Sequence, residues 1–233
     1  MKCIGLIGGL SWHSTALYYQ HINEMTAIEL GGVHCARMHL ASLNFSPIAE
    51  LMKSQSWQEL APLIIEAAKQ VELAGADGII IANNTLHQIL PDVEKALSIP
   101  CISIVDALGI ELSTLGISQI GLLGTASTMN LSFYKQRLLQ RYGIKVEIPS
   151  AEKCEQLNDV IFSELCFGKV TNNAKTLALS ILDELSSKGV GSIALACTEL
   201  PLLYNHDMSQ NVTFFDTNQL HCQHAVTWAL SKN

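Results

Sequence analysis

The chain lacks basic clusters: its 14 Lys and Arg are outnumbered by 21 Asp and Glu, for a formal charge of -7 over 233 residues. Nucleic-acid binding draws on clustered Lys and Arg that neutralise phosphates, so no nucleic acid is expected and the partner is a small molecule. No apolar run approaches the roughly 20 residues that span a bilayer, so no membrane association is expected. The N-terminal run ends at Gly8-Gly9 and is too short for a signal h-region. There is no Cys-x-x-Cys pair. The seven cysteines, at 3, 35, 101, 154, 166, 197 and 222, are odd in number and scattered, which suits free thiols in a reducing, cytoplasmic setting better than a disulfide framework. Also missing are a Ser/Gly-rich linker, a low-complexity tract, a G-x-G-x-x-G fingerprint and a P-loop lysine. His221 and His224 share at most one helix face, so a polar helix surface is expected there and no metal is implied.

What is present is a repeat. Gly75-Ala76-Asp77-Gly78-Ile79-Ile80-Ile81-Ala82-Asn83-Asn84-Thr85 aligns without a gap on Gly189-Val190-Gly191-Ser192-Ile193-Ala194-Leu195-Ala196-Cys197-Thr198-Glu199. Earlier in each half, Gly5-Leu6-Ile7-Gly8-Gly9 matches Gly121-Leu122-Leu123-Gly124-Thr125. Short apolar runs alternate with helix-period stretches, the pattern of parallel βαβ architecture. Strands are expected at 2–7, 34–43, 78–82, 101–104, 119–123, 145–148, 191–196 and 212–215. Helices are expected at 14–29, 56–74, 92–97, 106–115, 129–142, 151–166 and 172–188. In the stretch from Trp57 to Val71, Pro62 is tolerable in a first turn and would kink an interior one.

The predicted fold is α/β, with two similar doubly wound parallel-sheet domains related by internal duplication and an active site in the cleft between them. The first domain is expected to comprise 1–105 plus 211–233, the second 106–210. The tail, read as strand Phe215-Asp216-Thr217 and helix Gln219–Leu230, is expected to pack back onto the first domain.

Equivalent strand ends carry the chemistry. Gly5 to Gly9 followed by Ser11 forms a strand, a glycine turn and a helix start, which suits an anion but equally closes a βα unit. Asn83-Asn84-Thr85-Leu86-His87 lies at a strand's carboxyl end, where open α/β sheets bind ligands, although Asn84 or Thr85 also serves as a helix cap. His87 is expected to support the site rather than to act as a base. Six of the cysteines are expected to be inert packed thiols. Cys197 differs, because it ends a strand before an expected helix N-terminus, where a thiol's pKa falls.

With these motifs the chain resembles the cofactor-independent aspartate/glutamate racemase superfamily, in its aspartate racemase branch. The resemblance rests on Gly8-Gly9-Leu10-Ser11-Trp12 with Ser14-Thr15, Asn84-Thr85-Leu86-His87, Gly121 to Thr125 with Thr128-Met129, Glu164-Leu165-Cys166-Phe167-Gly168-Lys169, Cys197-Thr198-Glu199-Leu200-Pro201, and Asp216-Thr217. It implies an isomerase that needs no cofactor, pyridoxal phosphate included, acts on aspartate or glutamate, and forms a homodimer. Two acid/base residues, usually cysteines, flank the substrate α-carbon in this family. Here they would be Cys197 and Asn83, and a carboxamide cannot exchange protons near neutral pH. The implied substrate-binding set is Ser11, Asn84, Thr85, Thr125, Thr128, Lys169, Thr198 and Glu199, with Lys169 on the side-chain carboxylate. His13 stands where relatives often have Glu, Asn44 where many have Asp, and no arginine near Ser42–Ile48 matches the second carboxylate anchor of some relatives. Alternatives are a single-cysteine lyase or decarboxylase of the same superfamily, or a non-catalytic amino-acid-binding protein.

Overall fold

A computed structural model describes residues 1–205 and 212–231. The strands are β1 (Ile4–Gly8), β2 (Met38–Ser42), β3 (Gly78–Ile81), β4 (Gln119–Gly124), β5 (Lys145–Glu147), β6 (Ser192–Ala196) and β7 (Thr213–Asp216). The α-helices are α1 (Trp12–Leu30), α2 (Phe45–Lys53), α3 (Trp57–Leu73), α4 (Leu90–Ala96), α5 (Ile104–Thr114), α6 (Ala126–Asn130), α7 (Ser132–Tyr142), α8 (Ala151–Ser163), α9 (Asn172–Ser187) and α10 (Thr217–Leu230). The chain divides into two compact units, Met1–Ile104 with His221–Asn233, and Val105–Leu220. No helix of the described residues is long and apolar enough to cross a membrane.

In the first unit the sheet order is β2-β1-β3, all parallel. Successive strand residues face opposite sides, and both sides are covered. Ile7, Ile79 and Ile81 join Leu60, Ile64 and Val71 of α3 in one core. Ile4, Leu6 and Ile80 join Tyr18 and Ile22 of α1 and Val226 and Ala229 of α10 in the other. Such two-sided burial explains why β1 and β3 read as continuous apolar runs. α3 forms because Leu60, Ala61, Ile64, Ala67, Ala68 and Val71 recur at spacings of three and four and are all buried. It continues through Pro62, which sits beyond the first turn.

In the second unit the order is β5-β4-β6-β7, again parallel. The duplication extends to register. Gly5 pairs with Ile79 as Gly121 pairs with Ile193, and Cys101 meets Ile79 as Phe214 meets Ile193. The two glycines are needed for the same reason. A Cβ on Gly5 would lie 2.8 Å from Val71 and 3.1 Å from Ala76 and Ile79, whereas one on Gly121 would lie 2.5 Å from Ile193, 3.1 Å from Leu185 and 3.3 Å from Val190. Those three neighbours are repeat counterparts, so helix-on-sheet packing at this point is inherited with the unit.

Two expectations about the elements are corrected. The strand expected at 101–104 is a single bridge at Cys101, and α5 begins at Ile104. The tail does not return to the first unit at 211: β7 pairs with β6, and the first unit resumes only at His221. The sequence-based boundary between 210 and 211 lies outside the described residues. An unexpected helix, α2, starts at Asn44, whose Oδ1 accepts from the Ser46 N–H at 3.4 Å.

His221, expected on a polar surface, is fully buried. Its Nδ1 faces the Tyr18 hydroxyl at 2.8 Å and its Nε2 faces the Ile102 carbonyl at 2.8 Å. A carbonyl only accepts, so the proton is assigned to Nε2, and Tyr18 donates to Nδ1. Burial, then the neighbouring His87 ring, holds His221 well below the usual histidine range. The unfolded chain therefore gains a proton here below pH ~6.5 that the folded chain refuses, and stability falls as pH drops, by up to about 1.4 kcal/mol per pH unit. A His221→Gln variant retains one donor and one acceptor without the titration. Its acid-unfolding midpoint, followed by circular dichroism in dilute urea, should move to lower pH; an unchanged midpoint contradicts this account.

Candidate active site

Small polar residues lie just beyond the carboxyl ends of β1 and β3 in the first unit and of β4 and β6 in the second. In the first unit β1 runs into a turn at Gly9, whose φ is +72°. The Gly9 N–H donates to Thr15 Oγ1 at 2.8 Å, so this amide is already engaged within the turn. Ser11 caps α1 with φ +105°, a left-handed value for a residue with a side chain. Its carbonyl accepts from the Thr15 N–H at 3.1 Å and the Thr15 hydroxyl at 3.0 Å. A strained non-glycine residue that its surroundings hold in place is a feature that clusters at functional sites. Ser14 then ties α1 to the β3 end, its hydroxyl donating to the Ala82 carbonyl at 3.3 Å.

Asn83 follows Ala82 and is half-buried. Its Nδ2 donates to the Leu10 carbonyl at 3.2 Å, and its Oδ1 accepts from the Leu86 N–H at 3.0 Å. Asn83 therefore caps the 3₁₀ turn Thr85–Ile89 and braces it against the glycine turn. Asn84, one of the two residues read as an alternative cap, makes no side-chain cap bond. Asn84 and Thr85 are buried beside it. Two amide ends held by backbone make Asn83 a strut.

In the second unit Thr125 caps α6, its Oγ1 accepting from the Thr128 N–H at 3.4 Å and lying 3.2 Å from the Thr128 hydroxyl. Thr128 is fully buried. The next amide, Ala126 N–H, donates to Asn158 Oδ1 at 3.0 Å, a partner within the long helical stretch that no sequence signal marks. Lys169 stands exposed after Gly168, which takes the left-handed conformation that ends the preceding turn.

Cys197 ends β6. Beyond it the chain makes a single 3₁₀ turn, Leu200–Leu202, in place of the expected helix N-terminus. The Cys197 thiol donates to Glu199 Oε2 at 2.9 Å, and the Thr198 hydroxyl donates to the same oxygen at 2.9 Å. Burial, followed by the Glu199 carboxylate, pushes the Cys197 thiol well above its usual range, the reverse of the expected depression. A helix dipole strong enough to favour thiolate needs more than one turn, and a carboxylate beside the sulfur opposes it. Cys197 is thus a protonated thiol with a base already in hydrogen-bond contact. Cys166, expected as packed, is exposed, as is Cys35. Desolvation of the sulfur, then the Glu199 carboxylate, raises the Cys166 thiol too. Glu199, read from sequence as a substrate ligand, accepts from both the Cys197 thiol and the Thr198 hydroxyl. Its place two residues after Cys197 was the only signal available.

The chain matches the Asp/Glu/Hydantoin racemase family over residues 7–225. Among solved structures it is similar to a candidate Asp/Glu racemase from Yersinia pestis, at 38% identity over 99% of this chain and 100% of that chain with a TM-score of 0.94. It is also similar to an aspartate racemase homologue from Pyrococcus horikoshii, at 33% identity over 99% and 100% with a TM-score of 0.87. Curated relatives include the glutamate racemase of Persephonella marina, 26% identical over 60% of this chain and 52% of that protein, and the broad specificity amino-acid racemase RacX of Bacillus subtilis, 25% identical over 65% of each. The chain spans about half the length of the glutamate racemase it matches. A match across both units, with two structures above 30% identity over the full chain, places it: the chain belongs to the Asp/Glu/Hydantoin racemase family.

Proposed function

We propose that the protein is a cofactor-independent amino-acid racemase, an isomerase that removes the α-proton of aspartate or glutamate and returns a proton to the carbanion. The observation that carries this reading is the Cys197–Glu199 pair, a thiol 2.9 Å from a carboxylate at the end of a central strand. An amino-acid α-proton is weakly acidic, so its abstraction calls for a strong base. A thiol whose pKa is raised becomes a stronger base once its proton has left, and Glu199 is placed to take or return that proton. By the family likeness Asn84, Thr85, Thr125 and Thr198 would hold the α-carboxylate and amino group, Ser11 and Thr128 would belong to the substrate-binding set, and Lys169 would take the side-chain carboxylate. Donors fixed in advance around the carboxylate are what lowers the cost of a carbanion. Homodimerisation accompanies this reading through the family likeness.

Asn83 is assigned no proton in this mechanism. Water or a neighbouring group supplies the second face, which would make turnover slow or directional. The commitment of both Asn83 amide ends to backbone also favours a second reading, a single-cysteine lyase or decarboxylase, in which one thiol protonates one face of an enolate.

Incubating each enantiomer of aspartate and glutamate in D₂O, while following α-deuterium by NMR together with optical rotation, separates the readings. Exchange with inversion supports the racemase, and exchange without inversion supports a one-base site. Saturable binding without any exchange of either amino acid overturns the racemase reading for these substrates. In the same assay Asn83→Cys should raise racemisation if the missing thiol limits turnover. The gain should come with a loss of about 1–3 kcal/mol of stability in urea, because the Leu10 carbonyl and Leu86 N–H lose their partners. An N83C protein as stable as the parent contradicts the strut role.

A further inference from the structure

The geometry points to His87 as a positioning residue for the strand-end cluster of the first unit, acting through Asn83; the inference rests on the racemase reading above for its kinetic consequence. The His87 ring is buried. Its Nδ1 lies 2.9 Å from the Asn83 carbonyl, and its Nε2 lies 3.1 Å from the Ile104 N–H. An N–H must meet a lone pair and a carbonyl must meet an N–H, so the proton belongs on Nδ1 and the imidazole is neutral.

The need for such a ring arises from the sheet. Ile79 takes the Pro100 carbonyl at 2.9 Å and gives its own carbonyl to the Ile102 N–H at 2.8 Å, after which the ladder stops. Ile104 already begins α5, so it cannot extend a strand alongside Asn83. His87 takes the place of that missing rung, joining Asn83, two residues beyond β3, to the first residue of α5. His221 grips the same segment through the Ile102 carbonyl and meets His87 edge to face, with ring centroids 5.5 Å apart. With its carbonyl fixed by His87, Asn83 presents Nδ2 to Leu10 and Oδ1 to Leu86. One imidazole thereby sets the distance between the glycine turn and the turn that carries Asn84 and Thr85.

Substitution by leucine and by glutamine tests this. Glutamine offers one donor and one acceptor at nearly the separation of the two ring nitrogens, whereas leucine offers neither. His87→Leu should lower kcat for α-deuterium exchange by about 10- to 100-fold, the scale of a misplacement near 1 Å, with KM changing little. His87→Gln should recover most of that loss. Equal impairment of the two variants, or kcat within about twofold of the parent for His87→Leu, overturns the inference. Amide hydrogen exchange by NMR keeps the test independent of activity. Leu86 and Ile104 should lose protection in His87→Leu and keep it in His87→Gln, and unchanged protection in both variants overturns the positioning role even if the protein catalyses no exchange. An absence of exchange in the parent, with those protections behaving as expected, removes only the racemase reading.

Discussion

Replacing Cys197 by alanine should abolish deuterium uptake at the substrate α-carbon, by at least about 10³-fold in kcat/KM, because the proposed reaction makes its thiol the principal acid/base. The side chain is half-buried at the margin of the second unit's core, so removing the sulfur leaves the fold in place. Thr198 still donates to Glu199, and the carboxylate is not stranded. Serine is not a rescue, because its hydroxyl is a far weaker acid than even a raised thiol. A companion change, Glu199→Gln, removes one of the causes that push the thiol upward. The ascending limb of its rate–pH profile should then shift to lower pH, since less alkali is needed to form the thiolate. Residual exchange within about tenfold of the parent in the alanine variant, measured by NMR on both enantiomers, would show that Cys197 is not the proton carrier.

Replacing Gly9 by alanine should cost more than about 3 kcal/mol and unfold much of the first unit's β1–β2 edge. Two effects add. A φ of +72° is unfavourable for any L side chain, by about 1–2 kcal/mol. The new Cβ would also fall on the backbone nitrogen and oxygen of Leu43, and backbone has nowhere to move when its N–H is donating to the Gly8 carbonyl at 3.0 Å. Gly143→Ala provides the internal standard. Gly143 has a left-handed φ of +69° at the end of α7, but nothing lies within 4 Å of a Cβ there. Its substitution should cost only about 1 kcal/mol. Urea unfolding of the two variants separates strain from collision, and equal losses would refute the claimed collision at Gly9.

Much of this architecture was legible because it is repetitive and apolar. Gly5 and Gly121 stand at matching points, and the runs ending at Ala82 and Ala196 are buried on both faces, so their hydrophobicity announces parallel strands. The segment 101–104 misled for a physical reason: its apolar residues are those of a strand, yet Pro100 and the early start of α5 leave only one bridge. β7 misled in the opposite sense, since nothing local in Thr213–Asp216 says which sheet it joins. Partner choice for an added strand is set by the free edge of β6.

The sequence suffices to name the residues of the candidate site, but not their chemical state. Cys197 was identifiable from the repeat, whereas its protonation depends on a carboxylate two residues away turning back to meet the sulfur. Asn83 is recognisable in the sequence as the repeat counterpart of Cys197, but its role as a strut requires the Leu10 carbonyl, 73 positions earlier, to lie within 3.2 Å. His221 looked like one of two surface histidines until Tyr18 and Ile102 closed around it. Periodicity and the internal repeat by themselves determined the class of fold and the strand ends at which chemistry could sit, because both are carried by residues close in sequence. Protonation, capping and strain were decided only by the tertiary structure, because each depends on desolvation and on hydrogen-bond partners that folding alone brings together.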